Sequence, residues 1–149
     1  MSDVSLRIEN VLVCDDIRTE DNGKALIIGV YTGSISPRKF PAKLKLSYWL
    51  VGKMQGQGTF RLEIKVAFKP DDDAGKPSSM TVGFDGQVTE LVDKPQDVQL
   101  AIGGEPVLEF SGPGQLSVAV KTDDEDFRNV LVKPVLLAAT TSSAPPQPS

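Results

Sequence analysis

Apolar and polar residues alternate along most of this chain with a period of two. In the clearest stretch, residues 59–69, every second residue is large and apolar: Phe60, Leu62, Ile64, Val66 and Phe68. This alternation is typical of a β-strand with one buried and one wet face, whereas a helix would scatter these side chains around its axis. No segment keeps a sustained helical period. The pattern therefore predicts an all-β protein.

The first strong turn signal is Asn22-Gly23, which joins two apolar runs within residues 11–31. Asn and Gly tolerate positive φ at both central positions of a type I′ turn, and the twist of that turn matches the strands it joins. The segment is therefore predicted to be an antiparallel β-hairpin with a type I′ turn.

Further turn signals divide the rest of the chain. Residues 44–50 and 59–69 alternate on either side of a glycine-rich link, so they are predicted to form a second hairpin. Asp85-Gly86 predicts another turn. Pro134 has no N–H to donate, so the last strand should lie at a sheet edge or carry a bulge. Turn signals at intervals of about eight to twelve residues are typical of sandwiches and barrels.

We expect an antiparallel β-sandwich, Ig-like or C2-like, with about seven to nine strands in undetermined order. Residues 1–137 are predicted to form one domain, because a chain of 149 residues suits a single core. Residues 138–149 are rich in Ser, Thr, Ala and Pro. They have too little apolar surface to offset the entropy of ordering, which predicts a disordered tail.

Composition removes most enzyme chemistries. The chain has no histidine and one cysteine, Cys14, which excludes Ser-His-Asp and Cys-His catalysis and zinc sites built from His or several thiolates. We therefore predict no cofactor and no enzyme activity. A net charge of −4 with scattered basic residues predicts no nucleic-acid partner.

Nothing in the hydropathy pattern predicts a membrane span or a signal peptide. No apolar run approaches the roughly 20 residues of a transmembrane helix. The first residues lack the basic start and apolar block of a secretory leader. Together with the single cysteine, this predicts a cytoplasmic protein.

Three acidic loops are the best candidates for a metal site, since Ca²⁺ is bound by several converging oxygen ligands. They are Asp15-Asp16 and two richer clusters. Neither has the spacing of an EF-hand, and alternating loops would place them at opposite ends of a sandwich. Solvated turns are therefore the favoured interpretation, with a calcium-responsive C2-like module as the alternative. The clusters are Asp71, Asp72 and Asp73, and Asp123, Asp124 and Asp126.

A hydrolase that uses only carboxylates is a further alternative, because two acids about 5 to 9.5 Å apart in a cleft suffice for glycoside hydrolysis. Cys14 is expected to be a small buried hydrophobe, with a thiol pKa that the adjacent Asp15 raises rather than lowers.

Trp49 is the best single candidate for an interaction surface. It falls on the polar side of its strand, in line with Lys45 and Ser47. An exposed indole can anchor a partner, whereas a covering loop or second sheet would make it structural. Tyr31 is a weaker candidate. The partner would be another protein, or a second copy that adds a strand to a sheet edge.

Several residues of the first hairpin resemble the opening signature of a family of small, uncharacterised bacterial proteins: Cys14-Asp-Asp-Ile-Arg18, Glu20, Gly23-Lys24 and Ile28-Gly-Val-Tyr31. The resemblance extends over most of residues 4–137. It implies a β-sandwich and carries no assigned activity. Within the hairpin, Arg18 is expected to bridge carboxylates and so to hold the strand register. A non-enzymatic binding or assembly module is the leading functional hypothesis.

Overall fold

The computed structural model describes residues 3–103, 107–123 and 125–138. This part of the chain forms eight β-strands and contains no helix, as the alternation predicted. The strands are β1 (Val4–Thr19), β2 (Ala25–Val30), β3 (Ala42–Leu44), β4 (Ser47–Pro70), β5 (Ser78–Ile102), β6 (Leu108–Phe110), β7 (Gly114–Thr122) and β8 (Arg128–Val135).

Six strands form one antiparallel sheet, and β3 and β6 form a separate antiparallel pair. The order β2-β1-β4-β7-β8 runs through the long central strand β4, which also pairs with β5. Along one edge, β4 pairs first with β1 and then with β7, while β5 follows its other edge. The sheet does not close into a barrel.

The predicted second hairpin is wrong, because residues 52–58 lie inside β4 rather than in a turn. Two glycines there admit the backbone of β1. A Cβ on Gly52 would stand 2.2 Å from the carbonyl oxygen of Arg7, and one on Gly56 would stand 2.1 Å from that of Asp3. Glycine in a strand often marks such an approach of another backbone. These glycines allow close strand packing, and β4 continues through them.

The predicted turn at Asp85-Gly86 is also wrong, because both residues lie inside β5. Arg61 pairs with Asp85 across β4 and β5, with its Nη1 at 3.1 and 3.2 Å from the two carboxylate oxygens. The ring of Phe60 covers the neighbouring glycine, where a Cβ would stand 2.3 Å from the ring Cζ. Cross-strand contacts thus hold this stretch extended.

The first hairpin is confirmed, since β1 and β2 pair antiparallel from Thr19 and Ala25 onward. Its turn differs from the prediction. The N–H of Gly23 donates to the carbonyl of Glu20 at 2.9 Å, and the N–H of Glu20 donates to the carbonyl of Lys24 at 2.8 Å. Gly23 has a φ of +82°, whereas Asn22 has no positive φ. The loop is therefore a three-residue type I turn with a glycine bulge, rather than type I′.

The core is formed by inward-facing side chains from both halves of β4 and from the strands beside them. Phe68 and Phe110 meet edge to face at 5.0 Å, which joins the large sheet to the β3–β6 pair. The guanidinium of Arg128 in β8 donates to the carbonyl of Ile8 in β1 at 2.6 Å. The largest fully buried side chains include Tyr48, Leu50, Leu62, Ile64, Phe68, Phe110 and Leu116.

The strand that contains Pro134 lies at an edge, as predicted, because β8 pairs only with β7 in the main sheet. The tail predicted for residues 138–149 lies outside the described residues, apart from Ala138.

Candidate functional site

An apolar groove lies at the middle of the β4–β5 pair. It has a volume of about 560 Å³, within the range of small binding pockets. Part of its wall consists of apolar side chains that pack against the hydrophobic core and are only partly buried. The apolar lining comprises Leu6, Met54, Phe60, Val88, Val98 and Leu100, with Gln87, Thr89, Glu90 and Gln99 beside them.

Two glycines of β4 lie between the groove residues of that strand. Side chains alternate between the faces of a strand, so Gly56 and Gly58 stand in line with Met54 and Phe60. A Cβ on Gly56 would stand 2.1 Å from the carbonyl oxygen of Asp3, whereas one on Gly58 would have no atom within 4 Å. Gly58 therefore leaves open space on this face of β4.

The strand β5 bulges beside the groove. Gly56 pairs with Val92 and Gly58 pairs with Val88, so β5 uses four residues where β4 uses two. The side chain of Gln57 donates to the carbonyl of Thr89 at 2.9 Å and supports the displaced backbone. Within the described residues, the outer edge of β5 pairs with no other strand.

The same bulge displays an apolar side chain and acidic groups. Leu91 is 67% exposed at the crest of the bulge. Glu90 and Asp93 flank it and form no ion pair within the described part of the chain. Asp97 is engaged by Lys53 across the strand pair. Among the described residues, the edge thus combines an outer backbone with no strand paired to it, an apolar groove and the acidic groups of Glu90 and Asp93, with Lys94 next to Asp93.

Trp49 lies on the other face of the sheet. Its neighbours across the strands are Leu12 in β1 and Ala101 in β5. The indole is partly buried, which lies between the exposed indole and the covered indole that the sequence left as alternatives. It does not line the groove, so its role as an interaction residue stays a prediction.

Tyr31 is held inside the first hairpin. Its hydroxyl donates to Oδ1 of Asp15 at 2.7 Å. Burial, and then the bond to Asp15, raise the pKa of Tyr31 to about 12. Gly29 has a φ of +69°, and a Cβ there would stand 2.3 Å from Oδ2 of Asp15. Asp15, Gly29 and Tyr31 thus form one local contact, which gives these three residues a structural role.

A second depression, of about 670 Å³, contains the neighbouring acids Asp15 and Asp16 together with Lys45. Asp16 accepts a bond from Nε of Arg18 at 3.1 Å, and this bond lowers the pKa of the Asp16 carboxyl. A carboxyl that acts as general acid needs a raised pKa. Arg18 thus contacts a carboxylate on its own strand β1, so this pair does not hold the register of the hairpin as expected, and it works against acid catalysis at Asp16.

The acidic clusters stay apart. Asp71 follows β4 and Asp123 follows β7, and because β4 and β7 are antiparallel the two clusters lie at opposite ends of β7. Asp123 accepts a bond from the N–H of Arg61 at 3.0 Å, and Asp72 accepts one from the N–H of Ala74 at 2.9 Å. Asp73 and Asp126 are exposed, and Asp124 lies outside the described residues. Among the described residues, no three metal-binding side chains converge.

Cys14 is fully buried, and its thiol donates to the carbonyl of Ser47 at 3.5 Å. Burial, followed by the charge of Asp15, raises the pKa of the Cys14 thiol. This is the environment of an unreactive cysteine.

Residues 9–131 match a protein family described as a family of unknown function, DUF6941. The chain belongs to this family. The match includes the whole first hairpin and both strands of the groove. A search of curated proteins found no match. Across the described residues, no helix has the length and hydropathy needed to span a membrane.

Sequence reasoning missed the groove, because it forms only where β4 continues through its glycines and β5 pairs beside it. No local signal marks it, since Gly52 and Gly56 make room for neighbouring backbone rather than for a hollow.

Proposed function

We propose that this chain is a non-enzymatic protein-interaction module of β-sandwich type that binds an extended segment of another protein along β5. The observation that carries the proposal is an apolar groove directly beside an unpaired strand edge. Such an edge offers main-chain hydrogen bonds to an added strand, while pockets for alternate side chains provide specificity.

The chemistry of the edge specifies the segment that it would bind. Alternate apolar side chains would enter the groove between Met54, Phe60 and Val98. Basic residues beside them would meet Glu90 and Asp93, because complementary charges favour encounter and orientation. The proposed partner is therefore an extended apolar segment with Lys or Arg at its flanks.

The sandwich arrangement is part of the proposal. It is supported by a core that takes side chains from both halves of β4 and by the bond from Arg128 to the Ile8 carbonyl. A cytoplasmic location and the absence of enzyme activity are likewise proposed, supported by the single, buried Cys14 and by the lowered pKa of Asp16.

The test is a selection of ten-residue random peptides displayed on phage against the full chain. We expect the selected peptides to alternate apolar and other residues and to carry basic flanks. A fluorescein-labelled selected peptide should bind the unaltered chain, and Val98→Glu should weaken that binding at least tenfold, since it puts a charge into the groove.

The matched control is Val132→Glu, the same kind of change at an exposed residue of the edge strand β8, which should leave peptide binding unchanged. If Val98→Glu disturbs the fold by circular dichroism, Val98→Thr provides a nearly isosteric substitution with a smaller expected loss. A selection that enriches no peptide, or peptides equally sensitive to both Glu variants, would refute the proposal.

A further inference from the structure

In the part of the chain that the structure describes, β2 pairs only with β1, so its outer edge is unpaired like that of β5 but differs from it in composition. Its six residues, Ala25–Val30, include no charged residue and no proline. Leu26, Ile28 and Val30 are 46%, 36% and 38% exposed. Proteins usually protect an edge strand with charges, proline or bulges, and an apolar edge without them is a template for pairing with another chain.

The backbone of β2 is arranged for such pairing. In an antiparallel ladder, hydrogen-bonded pairs alternate with pairs that are not bonded to each other. The bond from Glu20 N–H to the Lys24 carbonyl sets this alternation at the turn. In the observed register, the N–H and C=O groups of Ala25 and Ile27 therefore point away from β1. No strand among the described residues accepts them.

We propose that β2 pairs antiparallel with β2 of a second copy of this chain, around a two-fold axis at Ile27. This register brings the outward groups of Ile27 in both copies together. It also places Leu26 of each copy opposite Ile28 of the other. The apolar strand is thus covered along its length by an identical strand, which is the self-complementarity that an isologous interface requires.

Charge complementarity supports a second copy as the occupant. Lys24 precedes β2, and the carboxylate of Asp15 lies against Gly29 near the other end of the strand. In an antiparallel pair, Lys24 of each copy approaches the end at which Asp15 of the other copy lies. This interface lies on β2, which contributes no residue to the lining of the groove, so it is independent of the groove.

Cysteine cross-linking tests the register. Residue 27 of one copy would face residue 27 of the other at about 5.5 Å between Cα atoms, within disulfide range. Ile27→Cys should therefore form a disulfide-linked dimer under mild oxidation. Ala25→Cys is the matched control on the same edge, because its two copies would stand about 13 Å apart. Cys14 is buried, so the unaltered chain gives the background.

We expect Ile27→Cys to cross-link at least tenfold faster than Ala25→Cys. The unaltered chain provides a second test, free of any folding defect. The amide protons of Ala25 and Ile27 should exchange at least tenfold more slowly at millimolar than at micromolar chain concentration. Equal cross-linking of the two variants, or exchange rates that do not depend on concentration, would overturn the proposal.

Discussion

At the scale of single residues, Asp15, Gly29 and Tyr31 form one local structure. Asp15 lies against Gly29 and accepts a hydrogen bond from the hydroxyl of Tyr31 at 2.7 Å, so the three residues depend on one another. This contact accounts for an Asp, a Gly and a Tyr at these positions without any catalytic role. Two measurements at this scale test it.

Substituting Gly29→Ala should destabilise the fold by at least about 2 kcal/mol, because it forces a left-handed φ on alanine and displaces the Asp15–Tyr31 bond. Urea denaturation measures the free energy of unfolding. Gly33→Ala is the control, since a Cβ there meets no atom within 4 Å, and its effect should stay within about 0.5 kcal/mol. Equal effects of the two variants would contradict this structural role.

The ionisation of Tyr31 provides the second measurement. Its pKa rises to about 12 in the folded chain, against about 10 in the unfolded chain. The stabilising effect of the neutral hydroxyl is therefore complete below pH 10 and is lost as the pH rises toward 12. Absorbance at 295 nm at pH 11 should show little tyrosinate in the native chain and full ionisation in urea. A native titration near pH 10 would contradict the bond between Tyr31 and Asp15.

At the scale of elements, the sequence predicted strands well and their connections unevenly. Asn22-Gly23 revealed the first hairpin because a turn between two apolar runs is a local property. The glycines of β4 led to the wrong prediction of a turn. Residues distant in sequence explain them, because the carbonyls of Arg7 and Asp3 lie against them. No local pattern carries that information.

The groove could not be predicted for the same reason. It requires both that β4 continues through its glycines and that β5 follows it past Asp85-Gly86, and each is a matter of pairing across the sheet. Trp49 and Tyr31 stand out in the sequence as single conspicuous side chains. The groove is instead lined by ordinary apolar residues that the pairing of β1, β4 and β5 brings together.

The contact between Phe60 and Gly86 tests the continuous β4–β5 pair. Gly86→Ala should cost about 1–3 kcal/mol, because its Cβ collides with the Phe60 ring. In a Phe60→Leu background the same substitution should cost less than about 1 kcal/mol, since the smaller side chain can give way. Gly112→Ala, which meets no atom within 4 Å, is the control. If the two substitutions have additive effects on the free energy of unfolding in urea, the result would contradict the continuous pairing of β4 and β5.

At the scale of the whole molecule, the two halves of the sheet are connected through the core and by Arg128, whose guanidinium reaches the Ile8 carbonyl. Arg128→Ala should reduce the free energy of unfolding by about 1–2 kcal/mol. This is near the lower end of the range for hydrogen bonds from charged groups, because Arg128 is exposed. Asn129→Ala, also exposed, should have little effect. Identical unfolding curves for both variants would argue against this connection.

Two edges of the molecule are assigned different occupants. The edge of β5 is acidic and lies beside a groove, which suits an extended segment of another protein. The edge of β2 is uncharged and apolar, which suits a copy of itself. A module with one edge for self-association and one for a partner would present at least two identical binding sites and so bind multivalent partners more tightly.

The most direct test of the account is the response of individual amides to a bound peptide. The ¹⁵N-labelled chain would be titrated with the selected peptide and followed by two-dimensional NMR. We expect large shift changes along residues 86–100 of β5 and at Gly58, with the indole N–H of Trp49, the single tryptophan, unchanged. A shift of that indole signal with no change along β5 would contradict the proposed site.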